Sequence, residues 1–459
     1  MRLVVIGGVA AGTKAVSRAR RVNSDLEITL YQEEPEISIS ECGLPYFISG
    51  VVESRDDLVA RTPKDFAEKD IEVLTRHRVE SVEPESKRLI VKDLSTGKEF
   101  EDSYDRLLIS TGARAVLPPI EGADLSGVFA LRFLSDADAI MRYIRERSPG
   151  KAAIVGGGYI GLELAENLKE IGMEVAVVEA EGRVANTYGS EVSEKVQDHL
   201  KEKGVEVFSC EKVDELVGKG DQVGAVRFDG EEIEAEMVIV GIGVEPVVEL
   251  AKEAGAKIGA TGAIQVDKYL RTNLPDVWAA GDCVETTNLI TGEPTWAPLG
   301  DTANQMGRVA GTNFASGEDV LEFPGVLGTG VFKVFELNVA KTGLSREEAE
   351  SAGFEVVTAA VDSKDKAGYL PGADPVFVNL IADAATGRLL GAEMVGGRAD
   401  KYVDICATAI WGRLSYPDLV NLDLAYAPPF GPVLSPVILA ASALGSKFER
   451  ETQGVRATE

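Results

Sequence analysis

The chain is poor in reactive side chains, with two histidines and four cysteines among 459 residues. The cysteines, Cys42, Cys210, Cys283 and Cys406, stand far apart and in no paired spacing. That argues against a disulfide scaffold and against a zinc site, so no metal is expected and a reducing cytoplasm is. Basic residues are also short, 47 against 75 acidic ones. A net charge of -28 without a basic, aromatic cluster argues against a nucleic-acid partner. No apolar run is long enough to span a bilayer, so no membrane role is expected. The N-terminal run, Leu3 to Ile6, passes into Gly7 and Gly8 with no polar cleavage region, and it reads as a strand rather than a signal peptide. Glycine is plentiful, 48 residues, and its placement organises the chain. At this length two or three domains are expected rather than one core.

Residues 3 to 12 form a β-branched strand running into a glycine turn, with an alanine-rich helix following to about Arg21. This is the start of a Rossmann unit: Gly7 and Gly12 permit the tight turn, and Gly8, Ala10 and Ala11 line a helix start that faces a pyrophosphate. The middle glycine of the pattern is replaced by Val9, and the next strand, Ile28 to Tyr31, ends in Gln32 with Glu33 and Glu34 just after. Either Gln32 or Glu33 is positioned to hydrogen-bond a ribose hydroxyl. A second unit begins at residue 151 and keeps the full pattern, Gly156, Gly158 and Gly161, with Tyr159 and Ile160 opening its helix. Its second strand, Glu174 to Val178, ends in Glu179, a carboxylate that accepts from a 2′-hydroxyl and repels a 2′-phosphate, which favours NADH over NADPH. Three further strands close on glycines: one at Thr111 and Gly112, one at Gly241 and Gly243, and one at Gly281 and Asp282. The fold class is α/β.

Between the first glycine turn and the rest of the first unit lies Ser38-Ile39-Ser40-Glu41-Cys42-Gly43-Leu44-Pro45-Tyr46-Phe47. Redox-active cysteine pairs sit a few residues apart, but here a second cysteine four or five residues on would fall at Tyr46 or Phe47. Cys42 therefore takes its redox partner from outside the chain, as a sulfenic acid or as a mixed disulfide with a small thiol. A lone cysteine is more often buried and inert. Gly43 and Pro45, however, mark a helix start whose N–H groups lower a thiol pKa.

With these motifs in place the whole chain resembles the pyridine-nucleotide disulfide oxidoreductase flavoproteins. The resemblance implies that the first unit holds FAD, that Asp282 hydrogen-bonds the flavin ribityl chain, and that the NAD unit is inserted between two parts of the FAD domain. The implied domains are 1–115 and 245–320 for FAD, 116–244 for NAD(H), and 321–450 for a C-terminal α+β domain that pairs two subunits. In that last segment Val331 to Phe335 and Val356 to Val361 read as strands, and Val376 to Ile381 with Leu389 to Val395 as a hairpin. Ser345 and Glu348 form a capping box, and Ala399 to Trp411 reads as a helix with Tyr402, Ile405 and Ile410 on its apolar face. No C-terminal rhodanese-like extension is expected.

Single-cysteine members of the family divide among NADH peroxidases, NADH oxidases and coenzyme A-disulfide reductases. Peroxidases and many oxidases carry a histidine in the first glycine turn, where this chain has Ala10, and its own His77 and His199 lie outside every motif. The stretch from Ser38 to Tyr46 is similar to the coenzyme A-disulfide reductase signature, with Glu41 where that motif often has an amide, and the resemblance implies a catalytic role for Ser38 beside Cys42. Two tyrosines match the family's proton-donor positions, Tyr369 and Tyr426, although Phe430 to Pro436 departs from the usual polar continuation. Arg18, Arg20 and Arg21, with Arg308, are the cations available for coenzyme A phosphates. The reading is a homodimeric FAD enzyme in which NADH reduces a Cys42 mixed disulfide with coenzyme A or a similar thiol, and in which partner subunits share each site. One alternative is an NADH oxidase working through a Cys42 sulfenic acid. Another is a redox sensor or electron-transfer subunit that docks a protein.

Overall fold

A computed structural model describes residues 1–456. The chain divides into two compact units: Met1–Val116 with Arg132–Asp138 and Val244–Val326, and Leu117–Leu131 with Ala139–Gly243 and Leu327–Glu459. The short stretch Arg132–Asp138, from the middle of the chain, folds with the first unit.

The first unit is built on a parallel sheet in the order Val277–Ala279, Arg106–Ile109, Arg2–Ile6, Glu27–Gln32 and Ile71–Thr75. Its strands read as near-continuous apolar runs because both faces are covered: Leu3, Val4 and Val5 are fully buried, as are Leu107, Leu108 and Ile109. The helix Ala10–Val22 lies against the helix Gly300–Ser316, and small residues set their approach. A Cβ on Gly307 would fall 2.4 Å from the Ala11 carbonyl oxygen, and one on Gly311 would fall 2.5 Å from that of Ala15. An antiparallel meander, His77–Glu83, Arg88–Asp93 and Glu99–Ser103, completes the unit.

The second unit contains another parallel sheet, ordered Glu206–Ser209, Glu174–Glu179, Lys151–Val155, Met237–Val240 and Val128–Ala130. Its C-terminal part is an antiparallel sheet ordered Gly330–Val334, Leu337–Gly343, Leu389–Gly396, Pro375–Asp383 and Val356–Lys364. The helices Ala399–Trp411 and Pro436–Arg456 accompany this sheet. The capping box at Ser345 and Glu348 forms as expected. The apolar face of Ala399–Trp411 differs in detail: Tyr402, Val403, Cys406, Ala409 and Ile410 are buried, whereas Ile405 is only half-buried. The i, i+3, i+4, i+7 track that begins at Ala399 passes through Tyr402, Val403 and Cys406 and leaves Ile405 at its edge.

Candidate active site

In the first unit the glycine turn is tight for steric reasons. Gly7 has φ +98, and a Cβ on Gly12 would fall 1.8 Å from the Gly7 carbonyl oxygen, so the helix can start only where glycine lets it close on the strand. Val9 occupies the N-cap position, and Ala10 and Ala11 open the helix with their N–H ends free of acidic neighbours in the first turn. Gln32, buried at the end of its strand, accepts the Gly8 N–H at 2.6 Å. Glu33 stands apart from this turn: it is exposed and pairs with Arg78 at 3.1 Å. Ser38 has φ +53, an uncommon conformation for a non-glycine residue, and its N–H donates to the Gly8 carbonyl at 2.8 Å. The strained residue thereby anchors the start of the cysteine stretch to the glycine turn.

Cys42 is exposed and lies on the 3-10 turn Glu41–Gly43, which runs into the short helix Leu44–Ile48 with Pro45 in its first turn. Glu41 is linked to the end of the central sheet through Arg132. The Arg132 guanidinium lies 3.3 Å from the Glu41 carboxylate and donates to Asp282 Oδ2 at 2.9 Å, while its Nε donates to the Ala113 carbonyl at 3.1 Å. Burial pushes the Glu41 carboxyl up to about 7, with Arg132 opposing the rise and Asp282 adding to it. Asp282 is also raised by burial, against the pull of Arg132. Its other oxygen, Oδ1, is buried with no hydrogen-bond partner among the described residues. A buried acceptor of that kind calls for a donor that is not part of the chain. Thr111 and Gly112 bind the carbonyl and N–H of Val247, which fixes the strand end beside Ala113, and Gly281, with φ +90, turns the chain just before Asp282.

Arg18 and Arg308 share Thr312: its hydroxyl accepts from Arg18 Nε at 2.9 Å and donates to the Arg308 carbonyl at 2.8 Å. Arg21 is exposed, with Nε bonded to the Ser17 carbonyl one turn back. Arg20 turns elsewhere and binds the carbonyls of Ser24 and Asp70. The sequence reading missed Arg61, which reaches the Ser17 hydroxyl at 3.4 Å, and Arg132, which no local motif announces.

The second unit repeats the glycine device. A Cβ on Gly161 would fall 2.2 Å from the Gly156 carbonyl oxygen, whereas Gly158 faces open space, where a phosphate would approach. Glu179 is buried and accepts the N–H groups of Gly157 at 2.5 Å and Glu181 at 2.8 Å. Ile160 lies in the first helical turn, and Tyr159 is partly exposed with its ring 6.4 Å from that of Phe332. Gly243, at φ +116, follows the strand Met237–Val240 and has open space at its Cβ position.

Tyr369 and Tyr426 also lie in the second unit. Their segments are neighbours, since the Ala367 N–H donates to the Pro428 carbonyl at 3.1 Å. Tyr369 is 76% exposed and Tyr426 49%, and Phe430, Val433 and Leu434 beside them are exposed as well. His77 and His199 stand away from all these features, packed with Phe100 and Phe335 respectively.

Comparison with known proteins places the chain. A family model described as pyridine nucleotide-disulphide oxidoreductase matches residues 1–307, and the dimerisation domain of the same family matches residues 330–436. The chain belongs to this family. An NADH oxidase of Methanocaldococcus jannaschii is 39% identical over 444 residues, covering 96% of this chain and 98% of the relative. A coenzyme A disulfide reductase of Staphylococcus haemolyticus is 31% identical, covering 94% of this chain and 96% of the relative. Among solved structures, an NAD-dependent persulfide reductase from A. fulgidus superposes with a TM-score of 0.94 at 41% identity, over 99% of this chain and 84% of that one. The α/β class and the family implied by the motifs are thus the ones found, and the chain is an oxidoreductase of this kind. No helix among the described residues is long and apolar enough to cross a membrane.

Proposed function

We propose that the protein is an FAD-dependent NADH:disulfide oxidoreductase whose single redox cysteine, Cys42, reduces coenzyme A disulfide or a related small disulfide, persulfide or polysulfide. The observation that carries the reading is the placement of Cys42 directly after two ties, Ser38 to the first glycine cradle and Glu41 through Arg132 to Asp282. The residues fit a flavin dinucleotide: Gly7, Gly8 and Gly12 let the turn close against its own sheet, so that the helix start is free to face a pyrophosphate, and the orphaned Asp282 Oδ1 accepts from a ribityl hydroxyl. Gln32 orders the turn beneath the adenosine end. Bound FAD supplies hydride acceptance from NADH and two-electron delivery to sulfur.

The remaining steps belong to the chain. Gly156, Gly158, Gly161 and Glu179 hold NADH. Cys42 as a thiolate attacks the incoming disulfide, forming a mixed disulfide and expelling a thiolate that must be protonated. Tyr426 and Tyr369, contributed by the partner subunit of a homodimer, are the proposed donors, and Arg18, Arg21 and Arg308 are the proposed cations for the phosphates of coenzyme A. The scarcity of paired cysteines fits work in a reducing cytoplasm.

Cys42→Ser should retain FAD and NADH-driven bleaching of the flavin but lose coenzyme A disulfide turnover, because hydride transfer and thiol exchange use different groups. Undiminished turnover in this variant would remove Cys42 from the mechanism. Oxygen uptake at a rate comparable with disulfide turnover would instead favour the NADH oxidase reading, which the 39% identical relative of that name keeps open.

A further inference from the structure

Glu41 stands one residue before Cys42 on the same turn, and its surroundings are unusual for a carboxylate. Two acids, Glu41 and Asp282, share the single guanidinium of Arg132 at 3.3 and 2.9 Å. All three side chains are largely enclosed, with 21%, 12% and 17% of their surface exposed. One cation balances only one of the two negative charges. Asp282 holds the shorter, hydrogen-bonded contact, so Glu41 is the acid that binds a proton when another negative charge arises nearby. The charged groups that act on Glu41 are Arg132, from the segment before the helix Leu134–Arg147, and Asp282, from the turn after Val277–Ala279; Cys42, exposed, is the next residue on its own turn.

We infer that Glu41 is a positioning residue for Cys42 that stores a proton: it is protonated while Cys42 is a thiolate and ionised while the Cys42 sulfur is held in a disulfide. Adjacent Cα atoms are about 3.8 Å apart, so the sulfur and the carboxylate sense each other's charge across a partly desolvated turn. The inference rests on the disulfide reading for its role in turnover, and the balance closes. When the mixed disulfide is reduced, NADH supplies two electrons and one proton, the S–S bond breaks, and the small thiolate takes that proton and leaves as a thiol. Cys42 keeps the negative charge, and one solvent proton goes to Glu41. In the next half-reaction the Cys42 thiolate attacks a fresh disulfide, one S–S bond forms as another breaks, the departing thiolate takes its proton from the tyrosine donor, and Glu41 releases its own proton to replace it. The sum is NADH, one proton and one disulfide giving NAD+ and two thiols. Arg132 limits the store: it keeps Glu41 acidic enough to let the proton go.

The test uses the FAD-loaded enzyme, reduced with dithiothreitol, desalted and held at about pH 7.5, a little above the neutral point at which a raised carboxyl still carries protons. Its infrared spectrum is recorded before and after Cys42 is alkylated with iodoacetamide, which turns the thiolate into a neutral thioether. The wild type should lose the absorption of a protonated carboxyl on alkylation. Glu41→Gln should show no such loss, and neither should Cys42→Ser; if the glutamine variant is not recovered with flavin, Glu41→Asn gives the same readout. At about pH 5.5 the loss should vanish in the wild type, because the acid then stays protonated in both states. No loss in the wild type at pH 7.5, or a loss that survives in Glu41→Gln, would overturn the proposal. A residue that merely shapes the turn would move none of these bands. No disulfide substrate enters the measurement, so its failure is separate from failure of the turnover test on Cys42→Ser.

Discussion

Glu179 is the residue proposed to decide the choice of nicotinamide. Its carboxylate is held by the N–H groups of Gly157 and Glu181, at the strand end where a Rossmann unit meets the ribose. A 2′-phosphate brought there would meet a buried carboxylate, at a cost of roughly 1 to 3 kcal/mol or about ten- to a hundredfold in specificity. NADH should therefore exceed NADPH in kcat/KM by that margin, and equal values for the two would show that Glu179 does not meet the ribose. The same strand-end position in the first unit carries a neutral amide, Gln32, and it makes the same bond to the glycine turn. Glu33, one residue further on, is exposed and engaged with Arg78. Successive side chains of an extended segment point to opposite faces, so of two neighbours at a strand end only one can reach the turn. Glu41 illustrates the opposite case. Its position beside Cys42 was legible, but its link to Asp282 runs through Arg132, which is remote in sequence and sits in no motif, so the sequence carries no sign of it.

At the scale of elements, the C-terminal sheet carries a buried acid on the strand Leu389–Gly396. Glu393 is 2% exposed, faces Lys341 across the strand pair, and accepts the Gly189 N–H at 2.8 Å from the loop after Glu179. Lys341 donates to the Thr187 carbonyl at 2.8 Å and lies over the Tyr188 ring, so two adjacent strands grip residues 187–189. Burial raises the Glu393 carboxyl, and the Gly189 N–H and Lys341 only partly offset it. With its folded pKa above the ordinary 4.5, the contribution of Glu393 to stability is full below that value and is lost as pH rises through the raised one. Glu393→Gln keeps an acceptor for Gly189 and cannot ionise. Its melting temperature relative to wild type should therefore climb as pH is raised from about 4 to 8, and a constant difference across that range would show that Glu393 is not the titrating group. Residue periodicity made most of this sheet legible, including the hairpin Pro375–Asp383 with Leu389–Gly396. The strand Leu337–Gly343 and the meander from His77 to Ser103 escaped notice. Their strands alternate weakly, and their pairing is set by neighbours rather than by their own composition. The contacts of Glu393 and Lys341 were illegible for the same reason as those of Arg132, since each spans more than 150 residues of chain.

For the whole molecule the prediction concerns the two tyrosines. Tyr369, Tyr426, Phe430, Val433 and Leu434 form an exposed aromatic and apolar stretch within the segment matched by the family's dimerisation domain. A surface of that kind is what a second copy of the chain would cover, and a two-fold pairing sets the same segment of each subunit against the partner. The proposed site takes Cys42 from one subunit and the tyrosines from the other. Loss of a proton donor slows a chemical step by roughly two to four powers of ten, so Tyr426→Phe alone should be nearly inactive in disulfide turnover. When Cys42→Ser subunits are mixed with Tyr426→Phe subunits and allowed to exchange, a shared arrangement puts both lesions on one site of the hybrid and leaves the other intact. Activity should then return, in proportion to the hybrid formed. A site contained within one subunit would leave every hybrid with two damaged sites. Exchange demonstrated by differently tagged subunits, with no recovery of turnover, would rule out the shared arrangement while leaving the role of Cys42 to its own test.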